Sequence, residues 1–219
     1  MSAFVRAHQF SFAALLLVAA LIAGACGGAV TNSLEPAPSI PTSDKPFPRT
    51  VIDDASIEVT IASEPQRIVA LTPASVEALA AWGLSERVVG VAACTCLPTT
   101  LASRPQVADY TGKNVEAIIA LNPDLVFVGG SGFTPDDAIT QLRAANLTVV
   151  TLDPSTVSGV YRTLQLIGDA TGPSVQAAKT VKDAMDDIAA VAALVADLPQ
   201  VSVFYEIDAT GAIYGLAPN

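Results

Sequence analysis

Histidine is all but missing: His8 is the only one among 219 residues, and it lies near the N-terminus in a leader-like stretch. With the leader removed, the commonest general base and the commonest metal ligand both disappear. Cations are scarce too, 11 Lys and Arg against 21 Asp and Glu, for a net charge of −10. Nucleic-acid affinity rests on neutralising phosphates with Lys and Arg, so that class is disfavoured. Serines abound, but there is no Gly-x-Ser-x-Gly elbow. A hydrolase needs a nucleophile, a base and an oxyanion hole within reach, and the base is lacking. No Gly-Lys-Ser/Thr phosphate loop and no spaced dinucleotide fingerprint occur. Nothing in the chain reads as an enzyme.

The N-terminus is informative. Arg6 supplies positive charge, and Phe10 to Ala23 form an uncharged apolar run. The run is short for a membrane span and ends in small residues, as an export signal does. Ile22-Ala23-Gly24-Ala25-Cys26-Gly27 resembles the bacterial lipobox, in which the cysteine is acylated and becomes the first mature residue. Ala23 stands where Leu is usual, and simple cleavage near Ala25 is the alternative. Residues 1–25 are therefore assigned to a signal peptide. Residues 26–48, with Pro36, Pro38, Pro41, Pro46 and Pro48, are an extended tether that cannot build a core. Lipidation at Cys26 makes the protein membrane-anchored on the extracytoplasmic side.

Cys94 and Cys96 remain, and an exported protein meets an oxidising setting. Three readings stay open for them: free or loosely paired thiols, a strained disulfide, or a metal site, the last lacking further ligands.

From Arg49 onward the pattern becomes that of a folded domain. Arg49–Asp54 and Ile57–Ala62 flank a polar turn and predict an N-terminal β-hairpin. Continuous apolar runs at Arg67–Leu71, Val88–Ala92, Leu125–Val128 and Thr148–Leu152 predict strands buried on both faces. Helices are predicted at Ser75–Trp82, Val115–Leu121, Pro135–Ala145 and Thr156–Thr171, with Ser75, Asn114 and Thr134 as caps for the first three. Strand alternating with helix gives an α/β parallel-sheet lobe with flanking helices. Ser174–Leu198 is the longest helical pattern, with Val181, Met185, Ile188, Ala192 and Val195 on one stripe. At 1.5 Å per residue it is about 36 Å long. Val201–Ile207 then opens a strand with no later partner in the sequence.

Two segments carry a family likeness. One is Arg67-Ile68-Val69-Ala70-Leu71-Thr72-Pro73-Ala74-Ser75-Val76-Glu77. The other is Asn114-Val115-Glu116 followed by Leu121-Asn122-Pro123-Asp124-Leu125-Val126-Phe127-Val128. Together with the long helix they resemble the solute-binding proteins of ABC importers that capture ferric siderophores, haem or cobalamin. The resemblance spans about Phe47 to Asn219. It implies a ligand-binding lobe at 49–172, a connecting inter-lobe helix at 173–198, and the start of an incomplete, truncated second α/β lobe at 199–219. It also implies a monomer with no resident cofactor or metal, whose cargo is a metal chelate passed to an ABC permease.

In open α/β sheets ligands bind beyond the carboxyl ends of the strands. Here that means the loops Thr72–Ser75, Ala93–Lys113, Gly129–Thr134 and Asp153–Thr156. Candidate ligand contacts are Thr72, Pro73, Tyr110, Ser131 and Phe133, with packing within the lobe as the alternative for Tyr110 and a plain flexible turn for Gly129–Phe133. The resemblance assigns Glu77, on the first helix after the Thr-Pro turn, to docking against permease arginines. Trp82 is read as core and Asp124 as a turn residue. Arg104 and Lys113 are the only cations in the four loops, which favours a neutral ligand such as cobalamin over an anionic catecholate. The alternatives are a Zn or Mn receptor, which would need histidines, and an extracytoplasmic adhesion or binding module without transport.

Overall fold

The structure is a computed structural model that describes residues 46–94, 97–109, 112–130, 132–199, 206–208 and 214–215. Strands β1 (Arg49–Ile52) and β2 (Glu58–Ile61) pair antiparallel, as the alternation predicts. The turn between them closes on Asp53, whose Oδ1 accepts from Ala55 N at 3.0 Å and Ile57 N at 2.8 Å.

The main sheet contains β3 (Ile68–Ala70), β4 (Val88–Ala92), β5 (Gln106–Asp109), β6 (Gly112–Lys113), β7 (Leu125–Gly129) and β8 (Val149–Leu152). Their spatial order is β6-β5-β4-β3-β7-β8, parallel throughout except for β6, which runs antiparallel to β5. The helices are α1 (Pro73–Ala81), α2 (Val115–Ala120), α3 (Asp136–Ala144), α4 (Val157–Thr171) and α5 (Ser174–Val195). Every residue of β3, β7 and β8 is buried, as their unbroken apolar runs require of a sheet covered on both sides.

Alternate residues of each strand feed two cores. Ile68, Ala70, Leu125, Phe127, Val150 and Leu152 face a core shared with the hairpin (Val51, Ile61), α1 (Val76, Leu79, Trp82), α4 (Leu166, Ile167) and Ala177 of α5. Val69, Leu71, Val126, Val128 and Val149 face the opposite core, built with α2 (Val115, Ile118) and α3 (Ile139, Leu142). The period-2 side-chain alternation of strands divides one apolar run between two layers of helices. Each fully buried Val, Leu, Ile or Phe contributes about 1.5–3 kcal/mol relative to exposure.

At the amino ends of β3 and β7, Asp124 acts as a clamp. Its carboxylate accepts from Gln66 N at 2.8 Å and Arg67 N at 3.0 Å, while Asp124 N donates to Arg67 O at 2.9 Å. The turn role read from Asn122-Pro123-Asp124 thus has a concrete form. Trp82 is a core residue, with Nε1 donating to Thr180 Oγ1 of α5 at 3.1 Å.

Several expectations require correction. The stretch Ala93–Lys113 is not one long loop, because β5 and β6 lie within it. These strands, of four and two residues, are too short to display a period. The α1 cap is Thr72 rather than Ser75. Pro73 takes the first helical position, where a missing N–H is harmless, so the cap falls one residue earlier. Thr134 does not cap α3, which starts after Pro135 without a side-chain cap. Of the strand expected at Val201–Ile207, residues 201–205 lie outside the described residues, but its end has a partner after all, because β9 (Glu206–Asp208) pairs antiparallel with β10 (Tyr214–Gly215). Antiparallel strands need only a short return of the chain, whereas the expectation weighed only parallel neighbours.

The long helix is unbroken from Ser174 to Val195, but the expected stripe is buried only at its start. Ala177 and Val181 are in contact with the lobe, Met185 is half-buried, and Ile188, Ala192 and Val195 are exposed. Gly168 of α4 permits the close approach at Ala177, since a Cβ there would overlap the Ala177 methyl.

Candidate ligand-binding site

From β3 the chain first builds outward to β4 and β5, then returns to the other side of β3 for β7 and β8. The connections therefore diverge between β3 and β7, and such a reversal opens a crevice beyond the carboxyl ends of the strands. The loops that border it are Leu71–Pro73 after β3, Gly130–Thr134 after β7 and Asp153–Thr156 after β8.

At the β3 end, Thr72 and Ser75 form a reciprocal cap. Ser75 N donates to Thr72 Oγ1 at 3.2 Å, and Ser75 Oγ donates to Thr72 O at 2.9 Å. Thr72 is half-buried with its hydroxyl engaged in the cap, whereas Pro73 is exposed at the tip. Glu77 is also exposed, and its spacing of four places it on the same face of α1 as Pro73, one turn from the crevice.

At the β7 end the glycine-rich turn folds onto itself. Phe133 N and Thr134 N both donate to Gly130 O, at 2.8 and 2.9 Å, and Gly129 N donates to the buried Thr134 Oγ1 at 3.2 Å. Those three amides are thereby occupied and do not present an anion cradle. The first turn of α3 carries Asp136 and Asp137, which further disfavours a phosphate there. Phe133 is 77% exposed, an apolar residue standing in solvent at the crest of the sheet. Ser131 and Tyr110, the other two candidate contacts, lie outside the described residues.

At the β8 end, Asp153 N donates to Asp54 Oδ2 at 2.8 Å, and Thr163 Oγ1 donates to the same oxygen at 2.7 Å. The Asp153 side chain leans toward β7: a Cβ on Gly130 would overlap its carboxylate. Any larger residue at this position would have to push the Asp153 carboxylate aside.

The cations are arranged differently from expectation. Arg104 does not border the crevice; its Nη2 donates to Ser85 O at 3.1 Å and pairs with Glu86 at 3.3 Å, in the turn that enters β4. The segment after β4 crosses back to the amino end of β5 and carries Arg104 with it. Lys113 stays on β6. Of the three cysteines, Cys94 is disulfide-bonded, while Cys96 and the lipidation candidate Cys26 lie outside the described residues. Among the described residues no group of three or more His, Cys, Asp or Glu is placed to hold a metal ion. No described helix is long and apolar enough to cross a membrane.

Comparison with known proteins fits this geometry. Residues 68–217 match the family model described as periplasmic binding protein. An uncharacterised ABC transporter substrate-binding lipoprotein of Bacillus subtilis (strain 168) is 36% identical over 93% of this chain and 65% of its own length. A cobalamin-binding protein of Halobacterium salinarum is 33% identical over 97% of this chain and 58% of its own. The chain thus spans about three-fifths of the length of these relatives. Among solved structures, the heme binding protein HmuT superposes with a TM-score of 0.63 at 22% identity, covering 83% of this chain and 62% of that one. The vitamin B12 binding protein BtuF of Vibrio cholerae gives 0.59 at 21% identity, covering 66% of this chain and 56% of that one.

Proposed function

Because the chain belongs to the periplasmic binding protein family, we propose that it is the ligand-capturing part of an extracytoplasmic receptor that takes up a cobalamin-type chelate for an ABC permease. The family is one of binding components rather than enzymes, in keeping with the missing nucleophile–base pair. The cargo reading rests above all on the charge of the crevice rim. Asp153, Asp136 and Asp137 border it, Arg104 of the expected loops is held at the opposite end of the sheet, and Arg143 is directed at Asp53. An anionic siderophore or a haem with two propionates would meet like charge there, whereas an uncharged corrin would not. The cobalamin-binding relative supports the same choice.

Under this reading the chelate arrives complete. Pro73 and Phe133, with Thr72, Tyr110 and Ser131, touch its periphery, and no protein ligand to the metal is needed. Glu77, on the rim, is the docking carboxylate for the permease. Cys26 carries the lipid, and the Pro-rich segment after it lets a monomeric body stand off the membrane.

The test is an absorption-monitored titration of the 219-residue chain with cyanocobalamin, haem and a ferric catecholate complex. Saturable binding of cyanocobalamin with weaker binding of the two anionic probes is expected. Tight catecholate binding with no response to cyanocobalamin would sink the cargo assignment. Separately, Cys26→Ser is expected to move the protein from the membrane fraction to the soluble fraction of expressing cells.

A further inference from the structure

We infer that Asp153 is the specificity-determining residue of this crevice, a carboxylate held open to accept N–H donors from the rim of a neutral ligand and to turn away anionic ones. The inference rests on the proposed function and names the group that would enforce it.

Three observations carry it. First, Asp153 sits at the carboxyl end of β8, beside the β3–β7 reversal point, and is exposed. Its neighbour Asp54 spends Oδ2 on Asp153 N and Thr163 Oγ1, whereas no hydrogen bond or ion pair to the Asp153 carboxylate is made among the described residues. A carboxylate accepts at both oxygens, so acceptor capacity is left for a ligand even with the side chain leaning on Gly130. Second, its position is fixed from both sides. The backbone N–H is tied to Asp54, and the side chain fills the space that Gly130 leaves by lacking a Cβ. Third, the exposed ring of Phe133 follows Gly130 in the same turn. An acceptor without a described partner after β8 and an exposed apolar ring after β7, both at the carboxyl ends of neighbouring strands, suit a flat ligand edged with uncharged amides, which is the surface chemistry of a corrin.

Around it acidic groups outnumber the cations that are not already paired. Asp54, Asp136 and Asp137 are acidic, and the nearby cation Arg143 is directed at Asp53, with Nη2 at 3.6 Å from Asp53 Oδ2. Arg162, on α4, makes no ion pair among the described residues and is exposed.

The experiment uses the 219-residue chain and its Asp153→Asn and Gly130→Ala variants, titrated with cyanocobalamin and with haem. Asp153→Asn keeps the backbone bond to Asp54, so folding is preserved, and circular dichroism checks this. Loss of one charge-assisted acceptor should weaken cyanocobalamin by about tenfold. Haem binding should hold or improve. Gly130→Ala leaves the charge intact but displaces the carboxylate, and should weaken cyanocobalamin as well. Unchanged cyanocobalamin binding in Asp153→Asn, or an equal loss for both probes, overturns the inference while leaving the cargo reading in place. A loss that vanishes in EDTA would make the carboxylate a cation ligand and also overturn it. Wild-type protein that fails to bind cyanocobalamin overturns both.

Discussion

Thr151 N donates to Asp53 Oδ2 at 3.1 Å across 98 residues of chain, and Asp54 N answers by donating to Thr151 O at 3.1 Å. The turn of the hairpin is thus bonded to the exposed edge of β8, where an unpaired strand would otherwise invite other chains. The Asp53 side chain is 0% exposed and accepts three backbone N–H groups in all. Asp53→Ala strands the buried Thr151 donor, frees the turn amides of Ala55 and Ile57, and leaves Arg143 without its counter-charge. A loss of about 3 kcal/mol is expected from urea denaturation. Asp53→Asn, which keeps one acceptor oxygen, should lose less.

The long helix should show a steep gradient of mutational cost. Val181 is fully buried, whereas Val191 is 60% exposed on the same helix. Val181→Ala removes two buried methyls and is expected to cost about 1–2 kcal/mol. Val191→Ala, trading one exposed side chain for a better helix former, should be within about 0.5 kcal/mol of neutral. Equal losses at the two sites in chemical denaturation would contradict the packing described.

What the sequence made legible, and what it hid, follows from the range of the forces involved. Unbroken runs such as Leu125–Val128 announce burial on both faces, and the Pro73-to-Glu77 segment marks a helix start by local chemistry alone. Strand β5 was missed because Gln106–Asp109 holds two small or apolar residues between two polar ones, a weak signal whose register is set by β4. The helix stripe misled for the converse reason: periodicity reports an amphipathic face but not whether anything covers it. Arg104 shows the same limit at the site. Its loop was visible, yet only the crossing from β4 to β5 determines at which end of the sheet its charge arrives. Beyond the turn amides of Ala55 and Ile57, the bonds from Asp53 and Asp54 to Thr151, Asp153 and Thr163 span about a hundred residues and leave no local trace.

The Trp82–Thr180 bond, 3.1 Å long, joins α1 to α5 and should be measurable on its own. Thr180→Val deletes the acceptor and leaves a largely buried indole N–H unpaired. A cost of about 1–2 kcal/mol is expected in equilibrium unfolding, against little change for Trp82→Phe beyond its lost volume. Trp82 is the only tryptophan, so its fluorescence follows the transition in the wild type and Thr180→Val, and circular dichroism follows it in Trp82→Phe.

Lys182 pairs with Asp186 one turn further along α5, and this hydrogen bond, with the attraction of the same carboxylate, raises the lysine above its ordinary value. A raised folded-state value means the stabilising contribution is complete below the unfolded lysine range and is lost as pH climbs through the higher folded value. Being fully exposed, the pair should contribute little to stability, and salt should weaken it. Nitrogen-detected NMR titration should place Lys182 of the folded protein above the same lysine in the unfolded chain, and Asp186→Asn should bring it back.

Glu77 offers the sharpest separation of capture from delivery. It is exposed, it shares a face of α1 with Pro73, and its carboxylate has no hydrogen bond or ion pair among the described residues. A rim charge of this kind acts mainly on the rate and register of docking, not on ligand affinity. Glu77→Gln should therefore leave cyanocobalamin titrations unchanged while slowing association with permease-containing vesicles, by roughly three- to tenfold at low salt. The difference should shrink as ionic strength rises, since an exposed pair is screened beyond about 8–10 Å. Glu77→Arg, which reverses the charge, should slow association further. If both variants dock at the wild-type rate at low salt, α1 is not the docking helix, and the contact with the permease must be sought elsewhere on the rim.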